Sequence, residues 1–356
     1  MQYPSSSSHG RKNKRVATLK DVAQLAGVGL GTASRVVSGK GAVSPKTLAR
    51  VRKAIEELDF QPSHAARSLM SGTSQMIGVY IPFLSGTFYT PILQLIYSEL
   101  RAAGLNMVVG FGTGSIDERG EAVDGIDFLN QRGCDGVLVM SSSLREEDIA
   151  ALGPRKSRLV LLNHTLPGME ERCFSIDHAL GGRMAARALL DQKHRKIAVI
   201  AGPKYAPDNV ERIDGFMAEL AQAGIDSDSV WVHESDFSPA GGWSSAQKLL
   251  ESGVEFSAVF CANDEMAVGV LSYFQQAGVA VPGAVSVLGY DDTHTADFTA
   301  PRLSSVHMPW TEMTLNGLNC LLNLCYQMKR PFTHEYAVSV THRASLAKPK
   351  AKRAVK

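Results

Sequence analysis

From Met76 onward the chain repeats one pattern, and that pattern limits its fold more than any other feature. Continuous apolar runs at 77–81, 106–109, 136–140, 159–162, 197–200, 258–261 and 285–288 alternate with amphipathic stretches such as 90–103, 179–190, 210–223 and 264–277. A strand apolar on both faces must be covered on both, and a helix between two such strands is the connection a parallel pair needs. A doubly wound α/β core follows, and this many units calls for two sheets. A chain of 356 residues, 44% of them hydrophobic, is long enough to bury more than one such core. No apolar run reaches the ~18 residues of a membrane span, and no stretch reads as a signal peptide. The expected setting is the cytoplasm, without a membrane partner.

The segment ahead of this core is built differently. Thr18 is placed to cap a first helix with Asp21 as its N3 partner, and Gly27 suits the turn that ends it. A second helix is expected from near Leu30 to just before Gly39. Ser44-Pro45 is a cap followed by an N1 proline, and Leu48, Val51, Ile55 and Leu58 then share one helical face. Small residues at Ala23 and Ala33, a glycine turn and Val36 behind them are what a helix-turn-helix crossing requires. Three amphipathic helices of an ordinary domain remain the bland alternative, and charge argues against it. Residues 1–75 carry twelve Lys/Arg against four Asp/Glu, a balance of +8, and the last ten residues add +5. The whole chain carries only +2, so residues 76–346 hold −11. A basic head on an acidic body is expected where only the head meets phosphates.

The remaining segments are read as a basic arm at 1–17, a helix-turn-helix domain at 18–61, a short helix and linker at 62–75, the core at 76–346 and a basic tail at 347–356. The arm is polar and basic and is expected to be disordered. Residues 63–70 make about two helical turns, below the ~12–15 residues an isolated helix needs in water. Five cysteines, mostly in apolar segments, read as reduced, buried thiols, and their spacing suggests no metal. No cofactor is expected either. Gly110, Gly112 and Gly114 approach a dinucleotide loop, but position 115 is Ser where the motif needs glycine. Walker A, G-x-S-x-G and H-E-x-x-H signatures are absent, so an enzyme is not expected.

Ligands of doubly wound folds sit at the carboxyl ends of strands. Arg212, in RIDGF, follows the run ending at Ala201 and is read as opening a helix; Asn263-Asp264 follows 258–261; Asp291 follows 285–288. Carboxylates, an amide and a guanidinium on one cleft match hydroxyls that both donate and accept. Taken singly, Asp264 and Asp291 sit where helix caps sit, and capping is the competing reading.

The stretches DVAQLAGV, TASRVVSGKGAVSPKT and ARSL, in that order and spacing, resemble the DNA-binding head of the LacI/GalR family of sugar-responsive repressors. The likeness runs to about Leu346, and LNHTLPGMEERC points to the galactose-repressor branch. The resemblance implies a core of two subdomains, about 76–163 with 293–326 and 164–292 with 327–346, and crossovers near Asn163, Asp292 and Gln327. It implies DNA contacts at Thr18, Leu30, Gly31, Thr32, Ser34, Arg35, Ser38, His64, Ala66 and Leu69, the last as a minor-groove wedge. It implies effector contacts at Arg212, Asn263 and Asp291, a further polar position at Asn163 and aromatic cover from Phe237 and Trp310. The partners it implies are a pseudo-palindromic double-stranded operator, a small sugar effector and a second copy of the chain.

The chain departs from the family at its reading helix. Gly29 stands at the usual cap serine, and Leu30 and Gly31 fill the two most discriminating positions. Gly31 has no side chain to reach a base, and Leu30 can only touch a thymine methyl. Specificity is expected to lean on Arg35, the wedge and operator deformability. The tail has no leucine heptads, so no coiled-coil tetramer is expected. With one cation, Arg212, beside Asp291 in the matched cleft, a neutral sugar or near relative is favoured over a sugar acid or phosphate. Alanine at Arg212 or Asp291 is expected to abolish the effector response and spare operator binding. The competing class is an exported sugar-binding protein, which needs a signal peptide and no basic head.

Overall fold

The computed structural model describes residues 17–38, 41–60, 72–84, 86–113 and 117–349, which fall into two compact units dividing after Gln75. The head holds three helices, α1 (Leu19–Leu25), α2 (Leu30–Ser38) and α3 (Pro45–Glu57). The box that opens α1 is closed from both sides. Thr18 N–H donates to Asp21 Oδ2 (2.7 Å), and Asp21 N–H donates to Thr18 Oγ1 (3.3 Å). Gly27, at φ +60°, makes the turn toward α2. The Arg50 guanidinium fastens α3 to that turn through the carbonyls of Ala26 and Gly27. Val22, Ala26, Val51, Ala54 and Phe60 form the small core; Phe60, beyond the last periodic position, closes it. The short helix expected at 63–70, and nearly all of the basic arm and tail, lie outside the described residues.

The second unit begins with β1 (Met76–Ile81), α4 (Tyr89–Ala102), β2 (Asn106–Phe111), α5 (Glu118–Gln131), β3 (Gly136–Met140), α6 (Glu146–Ala151), β4 (Leu159–Leu162) and β5 (Cys173–Phe174). These strands pair in parallel in the order β2-β1-β3-β4-β5. Then come α7 (His178–Asp191), β6 (Ile197–Ala201), α8 (Pro207–Gln222), β7 (Trp231–Glu234), α9 (Pro239–Glu251), β8 (Ala258–Cys261), α10 (Asp264–Gln276), β9 (Ser286–Asp291), β10 (Ser304–His307), α11 (Trp310–Tyr326) and β11 (Ser339–Thr341). The second sheet runs β11-β10-β9-β8-β6-β7, with only β11 antiparallel. The seven apolar runs are all strands, as a buried parallel sheet demands.

Two of the expected crossovers move. Residues 173–174 pair with β4, so the chain stays in the first sheet well past Asn163. Ser304–His307 pairs with β9, so it stays in the second sheet past Asp292. Both segments are too short or too polar to announce themselves as strands, and only their partners make them so. Helix α11 returns to the first sheet, where a Cβ on Gly317 would meet Leu162 and Phe174. One apolar cluster runs from the first sheet (Ile77, Leu138, Phe174) into the second (Ile197, Phe260, Tyr290). No helix among the described residues is long and apolar enough to cross a membrane.

Candidate functional site

On the head, α2 presents Leu30, Gly31 and Arg35 to solvent, while Thr32, Ser34 and Ser38 are half-buried. Leu30 is 55% exposed, a poor place for a leucine unless something covers it, and a Cβ on Gly31 would meet nothing within 4 Å. The backbone at the start of α2 can therefore approach another surface closely. Thr18 is different: its hydroxyl donates to Asp21 Oδ2 (2.6 Å) and is in use as a cap. His64, Ala66 and Leu69 lie outside the described residues.

In the core, a cavity of about 330 Å³ opens between the two sheets and is lined by all six expected effector residues, Asn163, Arg212, Phe237, Asn263, Asp291 and Trp310. Helices α7 and α8 position its floor. A Cβ on Gly182 would stand 2.0 Å from the carbonyl of Arg212, and one on Gly215 would stand 2.1 Å from that of Ala179. Only glycine lets the two backbones touch, and the contact brings His178, first in α7, against Arg212 in α8.

A buried polar network follows. Arg212, 2% exposed, lies over the Tyr290 ring, its Cζ 3.8 Å from the centroid. It donates to the carbonyl of Ala262 and faces Asp208 at 3.6 Å. Asp208 accepts from Asn163 Nδ2 (3.2 Å) and from Ser142 Oγ (3.4 Å), so it ties the second sheet to the first. His178 Nε2 meets Asn163 Oδ1 at 2.6 Å and its Nδ1 meets the Tyr290 hydroxyl at 3.2 Å. An amide oxygen can only accept, so Nε2 carries the proton and Nδ1 takes the phenol's. Burial and the Arg212 charge push the His178 pKa down to about 4, which leaves the imidazole neutral. Burial alone would raise the Asp208 pKa, but the facing Arg212 charge and the Asn163 N–H hold it below the usual carboxylate range. With the imidazole neutral, Arg212 is its charged partner.

Several expectations change in detail. Helix α8 starts at Pro207, suited to the first turn, so Arg212 sits more than a turn inside the helix instead of opening it. Asp291 is the last residue of β9 and not beyond it, because pairing of Tyr290 and Asp291 with Val306 and His307 carries the strand on. The cap of α10 is Asn263, whose Oδ1 accepts from Met266 N–H (2.9 Å) while its Nδ2 donates to the Phe237 carbonyl (3.0 Å). Asp264 is no cap; its carboxylate takes Thr293 N–H (2.7 Å) and Ser305 Oγ (2.6 Å) beneath the cleft. Asp291 accepts from Trp310 Nε1 (3.2 Å), and burial drives its pKa well above the carboxylate range. Arg212 and Asp291 thus hold protein partners of their own, so alanine at either position also breaks contacts within the core.

Phe237, at φ +64°, lays its ring where a Cβ on Gly202 would be, 2.2 Å away. Trp310 meets Phe88 edge to face at 5.0 Å. His178, Asp208, Glu118 and Tyr89 are site residues that sequence reading missed. Of these only Asp208, four residues before Arg212 on one helix, left a usable signal. Neither His164 nor His307 lines the cavity: His164 bonds the Leu144 carbonyl (2.8 Å) and His307 pairs with Asp292 (3.0 Å).

Residues 18–63 match the family model for bacterial regulatory proteins of the lacI family, and residues 186–346 match a periplasmic binding protein-like domain. The chain is 33% identical to the transcriptional repressor PurR of Glaesserella parasuis, over 88% of this chain and 91% of that one. It is 29% identical to the regulator GalR of Escherichia coli K12, over 94% and 97%. A LacI-family regulator from Burkholderia phymatum shares 46% identity and a TM-score of 0.73, over 77% of this chain and 99% of that one. The lac repressor dimer bound to operator and the anti-inducer ONPF superposes with a TM-score of 0.78 at 26% identity, over 94% and 100%. The regulator CelR in complex with cellobiose gives 0.65 at 30%, over 92% and 99%. With a helix-turn-helix head and a binding-protein-like core, matched over most of its length by these relatives, the chain belongs to the LacI family of DNA-binding transcriptional regulators and is not an enzyme.

Proposed function

We propose that the protein is a cytoplasmic repressor that holds a pseudo-palindromic operator as a homodimer and releases it when a small sugar without negative charge enters the cleft. The observation that carries the sugar reading is the cleft itself. Amide, carboxylate and guanidinium groups sit on its floor and rim, Phe237 and Trp310 stand at its walls, and Arg212 is the one cation among the described lining residues. Such a lining suits hydroxyls on a ring with an apolar face and repels phosphate. The cellobiose complex of CelR supports the ligand class, and the operator-bound lac repressor dimer supports the assembly. Asn163, Arg212, Phe237, Asn263, Asp291 and Trp310 are assigned to the effector.

On DNA, α2 is assigned to the major groove. Leu30 meets a thymine methyl, Arg35 a base edge or phosphate, and Thr32, Ser34 and Ser38 the backbone. Thr18 stands beside them at the start of α1. Residues 62–75 are assigned to the minor groove, with His64 and Ala66 along it and Leu69 as the wedge. In the dimer the two copies of residues 62–75 would pair at the operator centre, and ligand entry that reorients the subdomains would separate and melt them. A corepressor would work the same parts in reverse. A thermal-shift screen of sugars, sugar phosphates and nucleobases identifies the ligand, since occupancy at about 100 times Kd adds about 2.7 kcal/mol. Mobility shift with and without the hit then fixes the sign. Leu69→Ala is expected to fold, bind effector and lose specific operator affinity; unchanged affinity would reduce residues 62–75 to a linker.

A further inference from the structure

The two ends of the first sheet carry opposite charge. At the carboxyl ends of its strands, toward the cleft, segments 82–90, 112–121, 141–148 and 163–169 hold six Asp/Glu against two Arg. At the amino ends, the segments that lead into β2, β3, β4 and β5 (99–105, 127–135, 153–158 and 170–172) and the end of α11 (327–330) hold eight Lys/Arg against five Asp/Glu. These segments form one face. Asp135 N–H donates to the Met76 carbonyl (2.8 Å), and the Tyr326 hydroxyl donates to Asp135 Oδ2 (2.7 Å). Arg155 pairs with Asp127 (3.5 Å), Arg172 donates to the Lys156 carbonyl, and Arg330 pairs with Glu99 (3.1 Å). Arg101, Arg132, Lys156, Arg158 and Lys329 stand exposed and form no ion pair among the described residues.

We propose that this face is a second DNA contact, made by the core to duplex phosphates that flank the operator, without regard to base sequence. It goes beyond the head and linker, to which the DNA contacts above are assigned, and rests on the operator reading. Residues 76–346 carry −11, and a body of that sign repels a duplex; on this face the sign reverses. Strand β1 starts on the same face at Met76, directly after the linker. The fourteen residues 62–75 reach at most ~50 Å when fully extended. Duplex held by the head is thus tethered beside the basic end of the core, at a high effective concentration. The five cations without an ion pair keep their charge for an outside partner. Phosphates accept from guanidinium and ammonium groups whatever the sequence, and each contact releases counterions.

Mobility shift with the full-length protein tests this. The probe is the palindrome that the protein selects from random duplexes, alone and extended on each side by about ten base pairs, one helical turn. At low salt the flanks are expected to tighten wild-type binding ~10-fold. On the extended probe, each added phosphate contact is expected to steepen the loss of affinity over a four-fold rise in salt by about 3.5-fold. Lys156→Gln with Arg158→Gln is expected to remove most of the flank gain and of that extra steepness, and to leave binding of the bare palindrome unchanged. Should that variant not fold, Arg101→Gln with Lys329→Gln is expected to remove part of both. Flanks that add nothing to wild-type binding overturn the proposal and leave the assignments to the head and linker standing. A flank gain that survives both double variants overturns it as well. A protein that selects no palindrome loses the operator reading along with this one.

Discussion

In the head, Leu30, Gly31 and Arg35, assigned to recognition, stand at the surface of a domain whose core is five buried side chains. In the cleft, two of the residues assigned to the effector, Arg212 and Asp291, are themselves buried, and Arg212 is tied to His178 through Asp208, Asn163 and Tyr290. A substitution on the exposed face of α2, at Leu30 or Gly31, leaves the core of the head untouched. A substitution at Arg212 or Asp291 cannot be so confined, because both side chains also hold protein partners. Substitutions in the cleft should therefore cost stability and binding together, and substitutions on α2 should cost binding alone.

The sharpest test of that contrast is Arg212→Ala. It strands Asp208 and bares the Tyr290 face, and breaking a buried pair from one side costs ~3–5 kcal/mol. Calorimetry is expected to show effector binding gone and urea titration a weakened core; an unchanged denaturation midpoint would mean that the cleft, too, is modular. The next effect is pH. His178 titrates near 6.5 when unfolded and about 4 when folded, so the unfolded chain binds the extra proton. This contribution to stability is complete above pH 6.5 and is lost as pH falls toward 4, by up to ~3 kcal/mol. Asp264, raised by burial to about 7, works in the opposite direction over the same range. The comparison with His178→Asn separates them: the variant's deficit in urea is expected to shrink between pH 7.5 and 5, and a constant deficit would break the assignment.

Smaller effects belong to the head. Thr18→Ala removes the α1 cap and is expected to cost about 1 kcal/mol. Hydrogen exchange should locate the loss in α1, with core amides unaffected. The smallest expected effect is the most specific. Replacing thymines by uracils singly in an operator half-site is expected to weaken binding a few-fold at one position, the loss of one apolar contact of ~0.8 kcal/mol. In Leu30→Ala the penalty should vanish at that position alone. A uniform loss across positions would make Leu30 a packing residue.

The same contrast explains what the sequence disclosed. The three head helices were legible to within a residue or two, because caps at Thr18 and Ser44, the turn at Gly27 and the apolar spacing all act within a few positions. The seven apolar strands were legible for the same reason. Strands 173–174 and 304–307 were not, since their identity comes from partners elsewhere in the chain. The six residues assigned to the effector were singled out by family likeness and by position at strand ends, and all six line one cavity. His178 escaped because nothing near it in sequence marks it; Asn163 and Tyr290, which make it a site residue, are 15 and 112 positions away.

The apolar cluster that runs from Ile77 and Phe174 into Phe260 and Tyr290 sets a mechanical limit on any switch built on this core. Pulling the two sheets apart would wet it at ~25 cal/mol for each Å² of apolar surface. A small ligand offers a bias of only a few kcal/mol between two arrangements, since even a swing from 1:99 to 99:1 takes about 5.5. The cluster thus acts as a greased bearing. Motions that roll one layer over the other with the bearing shut are within the ligand's strength, and motions that open it are not. A ligand-driven rearrangement of this core is therefore expected to be a small rotation that keeps the cluster dry.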